Sequence, residues 1–146
     1  MDPKPEHLVF ALTSATGASK ACVAHGDAAT VVVLQAWYAQ VAAAAEGAGG
    51  TLVKLMGDGA LLTFPVSRAG DAIPSLRALQ ATGTALWSRF DARCRVQVKV
   101  GAGVLMTGMF GARGRERFDV YGHALNELFK RPYNDFEVMP TVTELQ

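Results

Sequence analysis

The sequence predicts an α+β fold, a ferredoxin-like β-α-β-β-α-β core with extra strands. Three observations predict it. Apolar, strand-like runs come first singly, then as an adjacent pair, then as a late group. Two long segments with helical spacing separate them. The paired runs are joined by Gly57-Asp58-Gly59, the kind of short glycine–aspartate link that closes hairpins. Grouped strands interrupted by helices suggest a sheet with its helices on one face.

Each element has its own reason. Residues 7–13 (HLVFALT) read as a short buried strand, and 14–27 (SATGASKACVAHGD) as an irregular small-residue stretch without periodicity. Asp27 is placed to cap the helix that follows, its carboxylate accepting from first-turn amides. Along 29–46, Leu34, Trp37, Tyr38 and Val41 share one helical face, and the glycines at 47–50 end the helix. Residues 51–56 and 60–64 form the hairpin strands. Asp71 opens a second helix with Pro74 in its first turn, and Leu76, Leu79, Leu86 and Trp87 supply its buried side. In RVQVKV (95–100), Arg95, Gln97 and Lys99 alternate with three valines, which predicts one wet face. Residues 103–111 continue as strand, 112–117 (ARGRER) as a charged loop and 118–122 as strand. A short helix at 123–131 is stopped by Pro132, and 136–140 is the last strand.

Composition excludes several classes. The 146 residues predict a single domain, 1–146. Half are hydrophobic and 18% charged, enough for a real core and unlike a disordered chain. A net charge of +1 gives no basic stripe for nucleic acid. The apolar runs fall short of the roughly 20 residues of a membrane span, and no signal peptide is legible. Cys22 and Cys94 lie far apart without metal spacing, and His7, His25 and His123 are scattered. These observations predict a reduced, cytoplasmic protein with no membrane or nucleic-acid partner.

Two stretches carry chemistry. In 49–64 (GGTLVKLMGDGALLTF), Lys54 interrupts an apolar strand and Asp58 occupies the hairpin turn. Singly, each has an ordinary reading: an edge-strand lysine facing water, and a turn aspartate placed for backbone reasons. In 115–131 (RERFDVYGHALNELFKR), Asp119 lies between Phe118 and Val120, and Asn126 and Lys130 share a helix face. Lys54 and Asp119 together offer a donor and an acceptor for a purine edge. Lys130 can neutralise phosphate charge as a point charge, without the fork of arginine. From spacing alone, an ion pair and a solvated helix face explain the second stretch better.

In this order, the two stretches resemble the class III adenylate/guanylate cyclase catalytic domain. GGTLVKLMGDGALLTF and GMFGARGRERFDVYGHALNELFKR follow that family's frame without a gap, and LVFAL and GVLMTG align with its other strands. The resemblance implies that Lys54 and Asp119 read the purine, adenine in preference to guanine. It implies that Asn126 orients the ribose and that Asp58 is the second of two metal-binding aspartates. It also implies a head-to-tail dimer, one subunit supplying metal carboxylates and the other the base and transition-state groups.

The chain departs from that pattern in several places. Leu12 stands where the first metal aspartate belongs, and Lys130 stands at the transition-state arginine. Gly101 replaces a histidine, Lys99 a glycine and His123 an acidic residue, and no late phosphate-binding lysine follows Lys130. Attack of a ribose 3′-oxygen on the α-phosphorus needs ions that clamp phosphate and activate the oxygen. Asp58 alone supports at most one weakly held Mg²⁺ or Mn²⁺. The expectation is a degenerate domain that dimerises and binds ATP or another purine nucleotide, with little or no cyclase activity alone. Two alternatives stand beside it. One is an adenylate cyclase, weakly active or dependent on a heterodimer partner, converting ATP to cyclic AMP and pyrophosphate. The other is a non-catalytic interaction module. The stretch 13–20 (TSATGASK) has the small residues and lysine to cradle phosphate but lacks the full phosphate-loop pattern.

Overall fold

A computed structural model describes residues 2–145. Its elements run β1 (Lys4–Thr16), α1 (Ala18–His25), α2 (Asp27–Gly47), β2 (Thr51–Met56), β3 (Gly59–Pro65), α3 (Ala69–Phe90), β4 (Arg95–Phe110), β5 (Arg117–Tyr121), α4 (His123–Lys130), β6 (Phe136–Val138) and α5 (Pro140–Thr143). The sheet has the order β2-β3-β1-β4-β5, with β6 pairing parallel to β4 and the other pairs antiparallel. The α+β sheet expected from the sequence is therefore present.

The centre of the sheet is the β1–β4 ladder, which runs unbroken from Lys4 opposite Thr107 to Thr16 opposite Arg95. Alternation along β1 feeds two cores. Val9, Ala11 and Ala15 face α2 and α3 and join Trp37, Val41, Phe64, Leu76 and Trp87. Leu8, Phe10 and Leu12 face the other side and join Leu61, Leu105, Val120, Leu125 and Leu128. The helices therefore do not keep to one face: α4 covers the second with the residues at its 125 and 128 positions. The buried faces of α2 and α3 are the expected ones. Trp37, Val41, Leu76, Leu79 and Trp87 are buried, and Leu34, Tyr38 and Leu86 pack at their margin.

Other expectations are corrected. Residues 18–25 are helix, not an irregular stretch; Gly17 turns the chain into it with φ +87°, where any Cβ would lie 2.7 Å from the Arg93 carbonyl oxygen. Asp27 does not cap α2. It is the helix's first residue, Gly26 holds the cap position, and Asp27 Oδ1 accepts from Cys22 Sγ. The second long helix begins at Ala69 behind a short 3₁₀ turn, Val66–Arg68, so Pro74 lies inside it and beyond its first turn. By length and composition α2 is apolar enough to cross a membrane, contrary to the expectation from run lengths, yet it packs Val33, Trp37, Val41 and Ala45 into the core. The largest correction is in β4. Gln97 and Lys99 are buried, not wet: the turn after α4 lies over Lys99, and Gln97 Oε1 accepts from Thr16 Oγ1 at 2.6 Å.

Candidate functional site

The hairpin presents Lys54 through a defect in its ladder. Leu52 pairs with Leu62 but Lys54 pairs with Leu61, so Val53 is a bulged residue. A bulge bends its strand and re-aims the next side chain. Leu52 packs towards one core and Val53 towards the other. Lys54 is left at the sheet's edge.

Asp119 lies on β5, at the opposite end of the strand order, opposite Gly108 of β4. The sheet curls until its two edges approach, and Lys54 Nζ donates to Asp119 Oδ2 at 3.1 Å. The other oxygen, Oδ1, accepts from the Val120 amide at 2.8 Å. Both side chains remain about a third or more exposed, so a ligand can reach them. They border an open hollow of about 560 Å³ with Leu52, Leu55, Arg117 and Phe118 on its walls. The structure thus joins two residues 65 positions apart that sequence spacing could not connect.

Asp58 occupies a different place. It sits in the two-residue turn between β2 and β3, where Trp37 Nε1 donates to its carbonyl at 2.7 Å and Tyr38 Oη to that of Gly57 at 2.7 Å. The core tryptophan of α2 therefore fixes the turn. The carboxylate accepts from the Ala15 amide at 3.0 Å. Burial pushes its pKa up, and the Ala15 N–H offsets part of that rise. Its hollow, about 640 Å³, is bordered by Ser14, Thr16, Lys20 and Arg93 and by the first turn of α1. The expected loop 13–20 is thus the end of β1 running into a helix N-terminus. Arg93 is held at the rim by a fork on Asp91, with contacts of 2.9 and 2.7 Å. That guanidinium holds the Asp91 carboxyl well below the usual range.

Leu12, the expected carboxylate position, is wholly buried among apolar side chains. Asn126 lies on α4, half-buried, its backbone N–H donating to Gly122 O at 3.1 Å. Lys130 is exposed on the same helix, with Glu127 Oε1 at 3.4 Å. Arg131 leaves the helix to pair with Glu137 at 3.2 Å. Among the described residues, no group of three His, Cys, Asp or Glu side chains could hold a metal ion. The residues at the Asp58 corner do not fit a two-ion centre.

Sequence reasoning missed Lys99 and Tyr133. Lys99 Nζ donates to the carbonyls of Arg131 at 2.6 Å and Phe129 at 3.2 Å, and stands 4.1 Å from the centroid of the Tyr133 ring. Burial pulls its pKa down. Tyr133 Oη donates to Thr13 O at 3.4 Å; burial pushes the phenol up to about 12, and the charge of Asp58 adds to the shift. Pro132, breaking α4 just before Tyr133, was the available signal.

No protein-family model matches the chain, and no curated protein matches it by sequence. Solved structures do. The adenylyl cyclase CyaB from P. aeruginosa superposes with a TM-score of 0.89 at 16% identity, over 99% of this chain and 82% of that one. The guanylyl cyclase Cya2 gives 0.79 at 19% identity, over 99% and 80%. A class III adenylyl cyclase-like ATP-binding protein from Pseudomonas aeruginosa gives 0.80 at 14% identity, over 98% of this chain and 35% of that one. The fold is therefore that of the class III nucleotide cyclase catalytic domain.

Proposed function

We propose that residues 1–146 form one cyclase-homology domain that binds a purine nucleotide, ATP in preference to GTP, and dimerises, with little or no cyclase activity alone. The observation that carries this reading is the Lys54–Asp119 pair, joined at 3.1 Å across the two edges of the curled sheet. A lysine donor beside a carboxylate acceptor matches the amino and ring-nitrogen pattern of adenine better than the carbonyl of guanine. Asn126 is taken as the ribose residue and Lys130 as the phosphate residue, both on α4, a reading supported by the resemblance of the sequence. Several structural neighbours act on or bind nucleotides: one is an ATP-binding protein and another holds ATPαS.

Dimerisation is supported by an uncovered apolar face. Met106 stands directly opposite Tyr121 in the β4–β5 ladder. Both are exposed, as is Val104 two residues earlier. They share the face of Asp119, so a second subunit seated there would close over the purine residues. Asp58 and its hollow are separate from that pair, which suits a site completed between two subunits. Asp58 offers at most a weakly held Mg²⁺ or Mn²⁺, and a cytoplasmic setting suits the two free thiols.

Titration calorimetry with ATP and GTP tests the reading. Lys54→Ala and Asp119→Ala should each weaken ATP binding about tenfold, equivalent to about 1.4 kcal/mol. Their effect on stability should stay within about 1 kcal/mol, because the pair is partly exposed.

The second reading is the purine-reading half of a heterodimeric adenylate cyclase. The presence of Lys54, Asp119 and Asn126 beside Leu12 favours it over a module without ligand. Mixing with a cyclase domain that has both carboxylates should then yield cyclic AMP that neither chain makes alone. An inert mixture across Mg²⁺ and Mn²⁺ rejects that version.

A further inference from the structure

A buried cation lies across the ladder from Leu12. Lys99 stands directly opposite Leu12 in the β1–β4 ladder. Facing residues of an antiparallel pair project from the same side, with Cβ atoms about 4.5–5.5 Å apart. Lys99 is 1% exposed and Leu12 0%. Its ammonium is satisfied by the Phe129 and Arg131 carbonyls, at the negative end of the α4 dipole. The Tyr133 ring lies over it, and Tyr133 also packs on the apolar cluster that contains Leu12. The tyrosine hydroxyl then reaches the Thr13 carbonyl, next in sequence to Leu12.

We propose that Lys99 is a specificity-determining residue that bars a divalent ion from this corner, so that a carboxylate restored at position 12 forms an ion pair with Lys99 in place of a metal site. Three features support this. A fixed positive charge repels an incoming dication strongly where water is excluded. A carboxylate opposite it finds a partner without any ion. The turn carrying Tyr133 packs on the cluster that contains Leu12 and holds the ammonium on that side through its ring and the Phe129 and Arg131 carbonyls. The inference rests on the cyclase-derived reading only for where an ion would sit; the buried ammonium and its partners stand apart from it.

The test uses the full chain and Mn²⁺ alone, without nucleotide, read by the electron-spin signal of free Mn²⁺ and by thermal melting. Wild type, Lys99→Met and Leu12→Asp should all fail to take up Mn²⁺ at low-millimolar concentration. Leu12→Asp/Lys99→Met should take up one ion per chain and melt higher when it is present. Leu12→Asp/Lys99→Arg, which keeps the charge, should not. Uptake by Leu12→Asp as tight as by the double variant overturns the proposal, as does a folded double variant that takes up none. Should the double variant not fold, Leu12→Asp and Leu12→Asn, which both keep Lys99, are compared by urea unfolding. The proposal requires the aspartate variant to be the more stable, and the opposite order overturns it. Because no nucleotide is present, failure here is distinct from failure of ATP binding.

Discussion

Asp58 combines two properties that rarely serve stability alone. Its carboxylate is partly buried, and the backbone N–H groups of Ala15 and of Asp58 itself do not fully offset that cost. A raised folded-state pKa means that the ionised form is held less well folded than unfolded. The penalty is therefore full at neutral pH, shrinks as the pH falls through the raised folded value, and is gone below the ordinary value of 3.8. Asp58→Asn keeps the acceptor for Ala15 and removes the charge. It should raise the urea midpoint at pH 7, and the difference from wild type should close below pH 3.8. Carboxylates perturbed in this way cluster at functional sites. Lys54 and Asp119 differ: they satisfy each other, and their partial exposure leaves them open to a ligand. At this scale the sequence told which residues to watch, because a lysine and an aspartate inside apolar strands need a reason. It could not tell that Lys99 is buried. In RVQVKV a polar residue alternating with valine reads as solvent-facing unless a later segment is known to cover it.

The covering segment belongs to the element scale. The chain leaves α4 at Pro132, turns through Tyr133 and returns as β6 beside β4. Among the contacts that hold that turn are the Lys99 ammonium, the Thr13 carbonyl, the pairing of Arg131 with Glu137 and that of Arg95 with Asp135. Its pH dependence follows from Tyr133. The folded phenol titrates near 12 against an ordinary 10.0, so between those values the folded state keeps a proton the unfolded state has lost. Stability should fall as pH rises from 10 to 12, and Tyr133→Phe should flatten that fall in a urea-midpoint series. Lys99 acts in the opposite sense, its depressed pKa raising stability with pH up to 10.5; the Tyr133→Phe difference separates the two. Element types were legible wherever the period was strong, as in α2, α3 and the hairpin. The helix at Ala18–His25 was not, because Ala, Ser and Lys carry no apolar stripe and its start depends on one glycine's left-handed turn. The Val53 bulge was equally invisible, since alternation in the sequence assumes an unbroken ladder.

For the whole molecule, what matters is that a sheet with β2 and β5 at opposite ends of its order curls until those edges share an ion pair. The Lys54–Asp119 pair thus depends on every strand between its two edges, which is why distant positions in sequence define one hollow. The exposed face around Val104, Met106 and Tyr121 should be where two copies meet. Met106→Glu/Tyr121→Glu should shift the chain from dimer to monomer in sedimentation velocity while its far-UV spectrum stays unchanged, since neither side chain lies in the core. A wild-type monomer at high concentration contradicts that part of the account. The central claim is that a purine pocket persists on this scaffold while its ion-holding corner does not. Calorimetric titration of ATP into the protein in the presence of a chelator tests it most directly. The account predicts saturable binding without a divalent ion, tighter for ATP than for GTP and weakened about tenfold by Lys54→Ala or Asp119→Ala. No saturable binding at millimolar nucleotide, or binding indifferent to both substitutions, would contradict it.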